Sequence, residues 1–196
     1  EITQAQIDNA IDFLLKHKTV LDPTIALDVV RTLPRGSITE NVEPEAFRIA
    51  YELFEGKRFR SGLPPQISKK AKADYTKAMG ILGQFYKAGV PIIAGTDNIV
   101  PVYGLYLEIE TYQKLGGLTP LEAIKTATII PAKAMGLDAE TGTLEIGKEA
   151  DIAILEKNPL VDITNLRTVS AVITNGNYYK SSSLWSAADF IPREDK

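Results

Sequence analysis

One acidic residue of this chain stands where α/β proteins often place catalytic groups. Residues 90–94 form a continuous apolar run that ends in the polar cluster Gly95-Thr96-Asp97-Asn98. A run without alternation is typical of a strand buried on both faces of a parallel sheet, and ligands bind at the carboxyl ends of such strands. A carboxylate there can bind a metal ion or exchange protons with a substrate. On this pattern alone, an isolated Gly-Thr-Asp is more often a turn or a helix cap, and Asp97 is a candidate functional residue beside that simpler interpretation.

Other residue types that build active sites are scarce. The chain has no cysteine, which excludes disulfides, thiolate zinc sites and cysteine nucleophiles. His17 is the only histidine, and it follows the first predicted helix and precedes a strand, so we interpret it as a surface residue. Lys57, Arg58 and Arg60 form a basic loop that could contact a carboxylate-bearing substrate, although a solvated loop is the simpler interpretation.

The composition is that of an ordinary globular protein. The chain has 196 residues, 44% hydrophobic and 24% charged, which suits one domain or one domain with a small appendage. Its formal net charge of −3 gives no reason to expect nucleic acid or an anionic membrane as partner. No apolar run reaches the roughly 20 residues that a membrane-spanning helix needs. Because the chain opens with Glu1 inside a helix start, we expect an N-terminal part to precede it, and the sequence indicates no compartment.

The elements that lead to Asp97 alternate between helix and strand, as in an α/β protein. Thr3 and Gln6 form a capping box that opens an amphipathic helix, and residues 19–27 are predicted to be extended. A long helix that begins near Ser68 and stops at Gly89 precedes the strand at Asp97. A loop, a helix and a second loop are predicted between them, at residues 31–44, 45–55 and 56–65.

After Asp97 the chain changes from predicted helices to predicted strands. Asn175-Gly176-Asn177 is a hairpin turn signal between two β-capable runs, and residues 151–155 are a further β-capable segment. These features predict an antiparallel region attached to the α/β region, with a polar tail from Ser181. The predicted helices lie at residues 104–115, 119–128 and 131–135. The predicted division of the chain is residues 1–136, 137–182 and 183–196.

Several motifs surround Asp97 in order: Ala94-Gly95-Thr96-Asp97, then Gly117-Leu118-Thr119-Pro120-Leu121-Glu122-Ala123-Ile124, then Thr141-Gly142-Thr143-Leu144-Glu145-Ile146-Gly147-Lys148-Glu149-Ala150-Asp151, and then Val172-Ile173-Thr174-Asn175-Gly176. In this order they resemble the amidohydrolase superfamily, specifically its imidazolonepropionase-like and Xaa-Pro dipeptidase-like branch. The resemblance is close from about residue 90 to about residue 180 and loose before that.

The resemblance implies both a fold and a chemistry. The fold is α/β: the last two βα units of a (β/α)8 barrel, followed by a partial antiparallel β-sandwich whose other strands precede the barrel. Asp97 matches the family's carboxylate at the end of the last barrel strand. That residue binds zinc or another divalent ion, takes a proton from the metal-activated water and passes it to the leaving nitrogen. The implied reaction is hydrolysis of an amide, peptide or cyclic amide in a small-molecule or dipeptide-like substrate.

The resemblance also bears on residues near Asp97. Val100 and Tyr103 follow it directly, and we expect them to line the substrate pocket. Tyr106 is equally compatible with the pocket and with the core. Asp151, in the small β domain, matches a family position that we interpret as structural.

The family's metal site needs ligands that this chain lacks. It uses His-x-His on the first barrel strand, a lysine or other bridging ligand, and histidines from two middle strands, whereas His17 is the only imidazole here. A full barrel takes roughly 250 residues. We therefore expect a C-terminal fragment of a metal-dependent hydrolase that is inactive alone, binds no metal tightly, and needs its N-terminal portion or self-association. The alternatives are a standalone non-catalytic binding or scaffolding module and an unrelated α/β protein.

Overall fold

A computed structural model describes residues 2–32, 64–97 and 103–187 of the chain. The predicted helix at residues 45–55 and the basic cluster Lys57, Arg58 and Arg60 lie outside these ranges. None of the helices in the described part is long and apolar enough to cross a membrane. The elements, in chain order, are α1 (Gln4–Lys16), α2 (Ile25–Thr32), α3 (Pro65–Lys87), α4 (Tyr103–Lys114), α5 (Pro120–Lys125), α6 (Ile129–Met135), β1 (Ile152–Leu155), a 3-10 helix (Ile163–Arg167), β2 (Val169–Thr174), β3 (Asn177–Lys180) and α7 (Ser181–Ala187).

Two extended segments run side by side in the α/β region, defined here as the described residues up to 136. Leu21 and Ile92 form a parallel bridge. The N–H of Leu21 donates to the carbonyl of Pro91, and the N–H of Ile93 donates to the carbonyl of Leu21, each over 2.9 Å. The two predicted strands thus meet in parallel, as a bridge and not as a continuous ladder. The first is shorter than predicted, because α2 begins at Ile25.

One apolar core packs the helices against these segments. Tyr75 and Met79 lie on one face of α3 and are buried, and Leu82 and Tyr86 of the same face pack against the core. Each large apolar side chain buried in this way contributes roughly 1.5–3 kcal/mol. The buried members of the core are Tyr75, Met79, Ile92, Ile109, Tyr112, Leu118, Ala123 and Ile163.

Local signals set the ends of several helices. Thr3 and Gln6 form the predicted capping box of α1, and Thr119 and Glu122 form a second capping box at the start of α5. Each box satisfies N–H groups that the first helical turn leaves without partners. Gly136 ends α6 in the left-handed conformation, with φ 74°, at the predicted stop.

The β region, residues 137–187, is built on a three-stranded antiparallel sheet in the order β1-β2-β3. Asn175 and Gly176 join β2 to β3 with φ of 48° and 72°, the two-residue turn that the sequence predicts. Ala171 is the only residue of the three strands that is buried. Ser181, predicted to open a polar tail, instead begins α7, which lies against β2 and β3.

An ion pair between a buried glutamate and a partly exposed arginine joins the two regions. Nε of Arg167, in the 3-10 helix, donates to Oε1 of Glu110 on α4 over 2.5 Å. The Arg167 guanidinium also lies 5.6 Å from the centre of the Tyr106 ring, within range of a cation–π interaction. Lys114 contacts the other oxygen of Glu110 at 3.1 Å. The β region is therefore attached to α4.

Candidate active site

Asp97 lies at the end of the second extended segment, and its side chain is exposed. Its backbone has φ 46°, in the left-handed region that few residues other than glycine adopt. Aspartate tolerates this conformation better than most residues, and such positions are concentrated at functional sites. The extended segment thus stops at Asp97, with its carboxylate open to solvent.

Two helices hold the segment that leads to Asp97. The hydroxyl of Tyr112, on α4, donates to the carbonyl of Ile93 over 3.0 Å. The N–H of Ala94 donates over 2.9 Å to the carbonyl of Thr126, which follows α5. The backbone before Asp97 is therefore positioned by hydrogen bonds to flanking helices.

Two glycines permit close approaches beside Asp97. A Cβ added at Gly95 would lie 2.0 Å from the carboxylate of Asp22, so Asp22 packs directly on the Gly95 backbone. A Cβ added at Gly104, in the first turn of α4, would lie 3.4 Å from Cβ of Thr96. Asp22 at the end of one extended segment therefore touches the end of the other.

A fully buried carboxylate, that of Glu108 on α4, binds the start of α2, which follows Asp22. Its Oε1 accepts a hydrogen bond from the N–H of Ile25 over 2.9 Å, and its Oε2 accepts one from the N–H of Ala26. The Tyr112 hydroxyl also lies within hydrogen-bond distance of Oε1. Burial raises the pKa of Glu108 above its ordinary value by more than these hydrogen bonds lower it, and the Asp22 charge raises it further. Burial, reinforced by the Glu108 charge, likewise raises the pKa of Tyr112.

The other predicted residues fall in several places. Val100 lies outside the described residues, and Tyr103 is described only as the first residue of α4. Tyr106 faces Arg167, so its ring contributes to the contact with the β region. His17 is exposed at the C-terminal end of α1, in agreement with a surface role.

Asp22 and Glu108 were not predicted as site residues. A signal for Asp22 was present, because an aspartate directly after a β-capable run is the same feature that singled out Asp97. For Glu108 there was no such signal, because α4 carries glutamates two residues apart, at 108 and 110, which face different sides of a helix. Glu108 and Glu110 are both buried, because α4 is enclosed on more than one side.

The described residues offer few metal ligands. Among them, no group of three or more His, Cys, Asp and Glu side chains lies close enough together to hold a metal ion. Zinc sites in proteins normally use three or four protein ligands. Asp97 can supply one oxygen ligand to a divalent cation, and the other ligands of a site would have to come from elsewhere.

The chain is similar in sequence and in structure to known hydrolases. Residues 59–178 match the amidohydrolase family. Ochratoxinase of Aspergillus niger is 46% identical over 87 residues, which are 44% of this chain and 18% of that protein. Imidazolonepropionase of Thermoplasma volcanium is 31% identical over 102 residues, 47% of this chain and 24% of that protein. A crystal structure of a Xaa-Pro dipeptidase with methionine bound in its active site superposes with a TM-score of 0.59, at 26% identity, over 88% of this chain and 37% of its own. The chain thus spans about a fifth of the length of the curated relatives it matches.

Proposed function

The chain belongs to the amidohydrolase family, as the resemblance indicated, and from this membership we propose that it is the C-terminal part of a metal-dependent hydrolase of C–N bonds. The bond cleaved is an amide, peptide or cyclic amide, in a small-molecule or dipeptide-like substrate. The names of its relatives, an ochratoxinase, an imidazolonepropionase and a dipeptidase, support a hydrolytic reaction. The observation that carries the proposal is the exposed carboxylate of Asp97 at the end of a segment paired in parallel.

In this proposal the α/β region is the end of a (β/α)8 barrel. Residues 19–22 with α2, and residues 90–97 with α4, are its seventh and eighth βα units, and the sheet β1-β2-β3 is part of a β-sandwich. The parallel bridge supports this assignment, as does the contact between the two strand ends at Asp22 and Gly95. In such barrels the carboxyl ends of the strands form the active-site face.

Asp97 has two roles in the proposed reaction. A divalent cation such as Zn²⁺, when bound, lowers the pKa of a water molecule enough to provide hydroxide near neutral pH. The Asp97 carboxylate would hold such a cation, and it would accept a proton from the attacking water and later deliver it to the leaving nitrogen. Val100 and Tyr103, which follow Asp97 in the chain, are proposed to line the substrate pocket.

We further propose that this chain alone is inactive and binds no metal tightly. The donor set of the described residues supports this, because it offers Asp97 and no cluster of three ligands. The missing ligands would come from the N-terminal portion of the same enzyme or, by self-association, from a second chain. Titration of the pure chain with Zn²⁺ should show only weak binding, and tight stoichiometric binding would contradict the proposal.

The decisive variant is Asp97→Asn, made in the full-length protein that contains this chain. Asp151→Asn is the matched control, because Asp151 is also exposed but accepts a hydrogen bond from the Thr174 hydroxyl in the β region, over 2.6 Å. Hydrolysis of Xaa-Pro dipeptides and N-acetyl amino acids is measured after loading with Zn²⁺. We expect Asp97→Asn to lower kcat by about 10²–10⁴-fold, the contribution typical of a general acid–base group. Asp151→Asn should keep wild-type activity, and a similarly active Asp97→Asn would contradict the assignment.

The alternative function is a standalone module that binds or scaffolds another molecule without catalysis. The small ligand set of the described residues is the observation that favours it. An antibody raised against this chain can measure the mass of the natural polypeptide in source cells. A band at 21.4 kDa would support the module, and a band of at least twice that mass would support the hydrolase.

A further inference from the structure

One turn of α4 contacts both the first turn of α2 and the segment that leads to Asp97. Glu108 binds the first turn of α2, shortly after Asp22, and Tyr112 binds the segment that leads to Asp97. We propose that Glu108 and Tyr112 are positioning residues, which hold Asp97 in the orientation that metal binding and proton transfer require. This inference rests on the proposed role of Asp97 and extends it to two residues that touch neither metal nor substrate.

The backbone before Asp97 depends on α4 because the two extended segments share little else. A single parallel bridge joins them within the described residues, and its last backbone hydrogen bond is donated by the N–H of Ile93. Beyond that bond, the Ile93 carbonyl accepts from Tyr112, and the N–H of Ala94 donates to Thr126. A displacement of the Tyr112 hydroxyl would therefore displace the segment that carries Asp97.

Glu108 fixes the other strand end by capping α2. The N–H groups of Ile25 and Ala26 are among those that a helical start leaves unpaired, and the buried carboxylate accepts both. Thr24, directly before α2, has φ 44°, a strained value for a β-branched residue. The Glu108 cap thus holds the backbone after Asp22 in a conformation that its own sequence disfavours.

The Tyr112 hydroxyl couples the two ends because it has one proton and two acceptors. It lies between the Ile93 carbonyl and Oε1 of Glu108, four residues earlier on α4. Glu108 and Tyr112 are both fully buried, so neither can exchange its partner for bulk water. Removal of the Tyr112 hydroxyl or of the Glu108 carboxylate leaves the remaining groups with unpaired polar atoms. We expect the alignment of the two strand ends to relax as a result.

The chain offers a matched control in Tyr75, which lies on α3 in the same core. Its ring is 8% exposed, and its hydroxyl lies near Thr111 without a hydrogen bond of normal geometry. Tyr75→Phe and Tyr112→Phe each remove one buried hydroxyl and keep the ring. Only the second removes a contact to the segment before Asp97.

The test uses the full-length protein loaded with Co²⁺, whose visible absorption bands report the geometry of its ligands. We expect Tyr112→Phe to shift these bands, and to weaken Co²⁺ binding about 10–100-fold, as the loss of a supporting hydrogen bond near a metal ligand typically does. With Zn²⁺, kcat per bound metal should fall by a similar factor while KM stays within about twofold. Tyr75→Phe should change none of these quantities.

Glu108→Gln is the second variant, because it keeps the side-chain size but replaces one acceptor by a donor, and it should act as Tyr112→Phe does.

The outcomes separate this inference from the proposed function. If Asp97→Asn is inactive, but Tyr112→Phe and Glu108→Gln keep the wild-type Co²⁺ bands and affinity, the positioning role is overturned and the role of Asp97 stands. If Asp97→Asn is fully active, both are overturned. Circular dichroism identifies a variant that does not fold. If only one of Tyr112→Phe and Glu108→Gln folds, its Co²⁺ bands, Co²⁺ affinity and kcat decide between these outcomes.

Discussion

The α/β region and the β region bury their large side chains to different extents. In the α/β region, side chains as large as Tyr112, Met79 and Glu108 are completely buried. In the β region, Ile146 and Val161 are 107% and 81% exposed, and the strands bury only an alanine. The first region is therefore stabilised from within. The second depends on its contact with α4 and, if it is part of a larger β-sandwich as proposed, on strands from another segment.

The largest expected effect tests the close packing of the α/β region at Gly83, on α3. A Cβ there would lie 2.0 Å from the carbonyl oxygen of Gly116, so Gly83→Ala must push α3 away from the end of α4. We expect the free energy of unfolding to fall by about 2–3 kcal/mol, as for other overpacked cores. Urea denaturation of this chain measures the change.

The control for that variant lies three residues earlier on the same helix. A Cβ at Gly80 would meet no atom within 4 Å. Gly80→Ala should therefore raise the free energy of unfolding by about 0.5–1 kcal/mol, because alanine favours the helix over glycine. Equal effects of the two variants would show that α3 and α4 are not in close contact.

The next effect concerns the link between the regions. Arg167→Leu leaves the buried Glu110 carboxylate with Lys114 as its remaining cation, and we expect a loss of about 2 kcal/mol, less than for a pair with no second cation. Lys114→Leu is the control, because half of its side chain is exposed and its loss should cost about 0.5 kcal/mol. Trp185, the only tryptophan, lies on α7 and reports the β region. In Arg167→Leu its fluorescence should change at lower urea than the circular dichroism, and coincident transitions would contradict this link.

A smaller effect distinguishes the regions by pH. Burial raises the pKa of Glu108 above its ordinary 4.5, so the folded chain holds this proton to a higher pH than the unfolded chain does. The stabilisation this provides is complete below pH 4.5 and is lost as the pH rises through the raised pKa. The stability of the wild type relative to Glu108→Gln should therefore decline with rising pH, which urea midpoints between about pH 4 and pH 8 can measure. A constant difference would contradict the raised pKa.

Asp162, in the β region, should show the opposite sign. Its carboxylate accepts hydrogen bonds from the N–H and hydroxyl of Thr164, which lower its pKa below 3.8. The corresponding stabilisation is present above pH 3.8 and is lost as the pH falls through the lowered pKa. The wild type should therefore lose stability relative to Asp162→Asn only in acid, and a loss at neutral pH would contradict this cause.

The smallest effect is expected where the β region is most exposed. Ile146→Ser should change the free energy of unfolding of this chain by less than about 0.5 kcal/mol, because the side chain has no buried surface to lose. It should also reduce any self-association seen by sedimentation velocity. A loss of more than about 1 kcal/mol would mean that Ile146 is covered in solution.

The features that could be predicted from the sequence are those with local causes. The capping boxes at Thr3 and Thr119 and the turn at Asn175-Gly176 depend on residues within four positions of each other. The start of α2 at Ile25 was missed, because one of its buried caps, Glu108, lies far away in the chain. Asp97 could be located by the apolar run before it. Its contacts through Asp22 and Tyr112 are set by packing, which no short pattern specifies.

The distant cap of α2 also has a consequence for synthesis. Glu108 lies 83 residues after Ile25, so the first turn of α2 lacks its buried acceptor until that much more chain has been translated. At about 5–20 residues per second, the delay lasts roughly 4–17 seconds. Contacts of such long sequence separation also slow folding after release. On the ribosome, α2 should therefore remain a frayed segment accessible to chaperones, and it should become protected only once α4 has emerged from the exit tunnel.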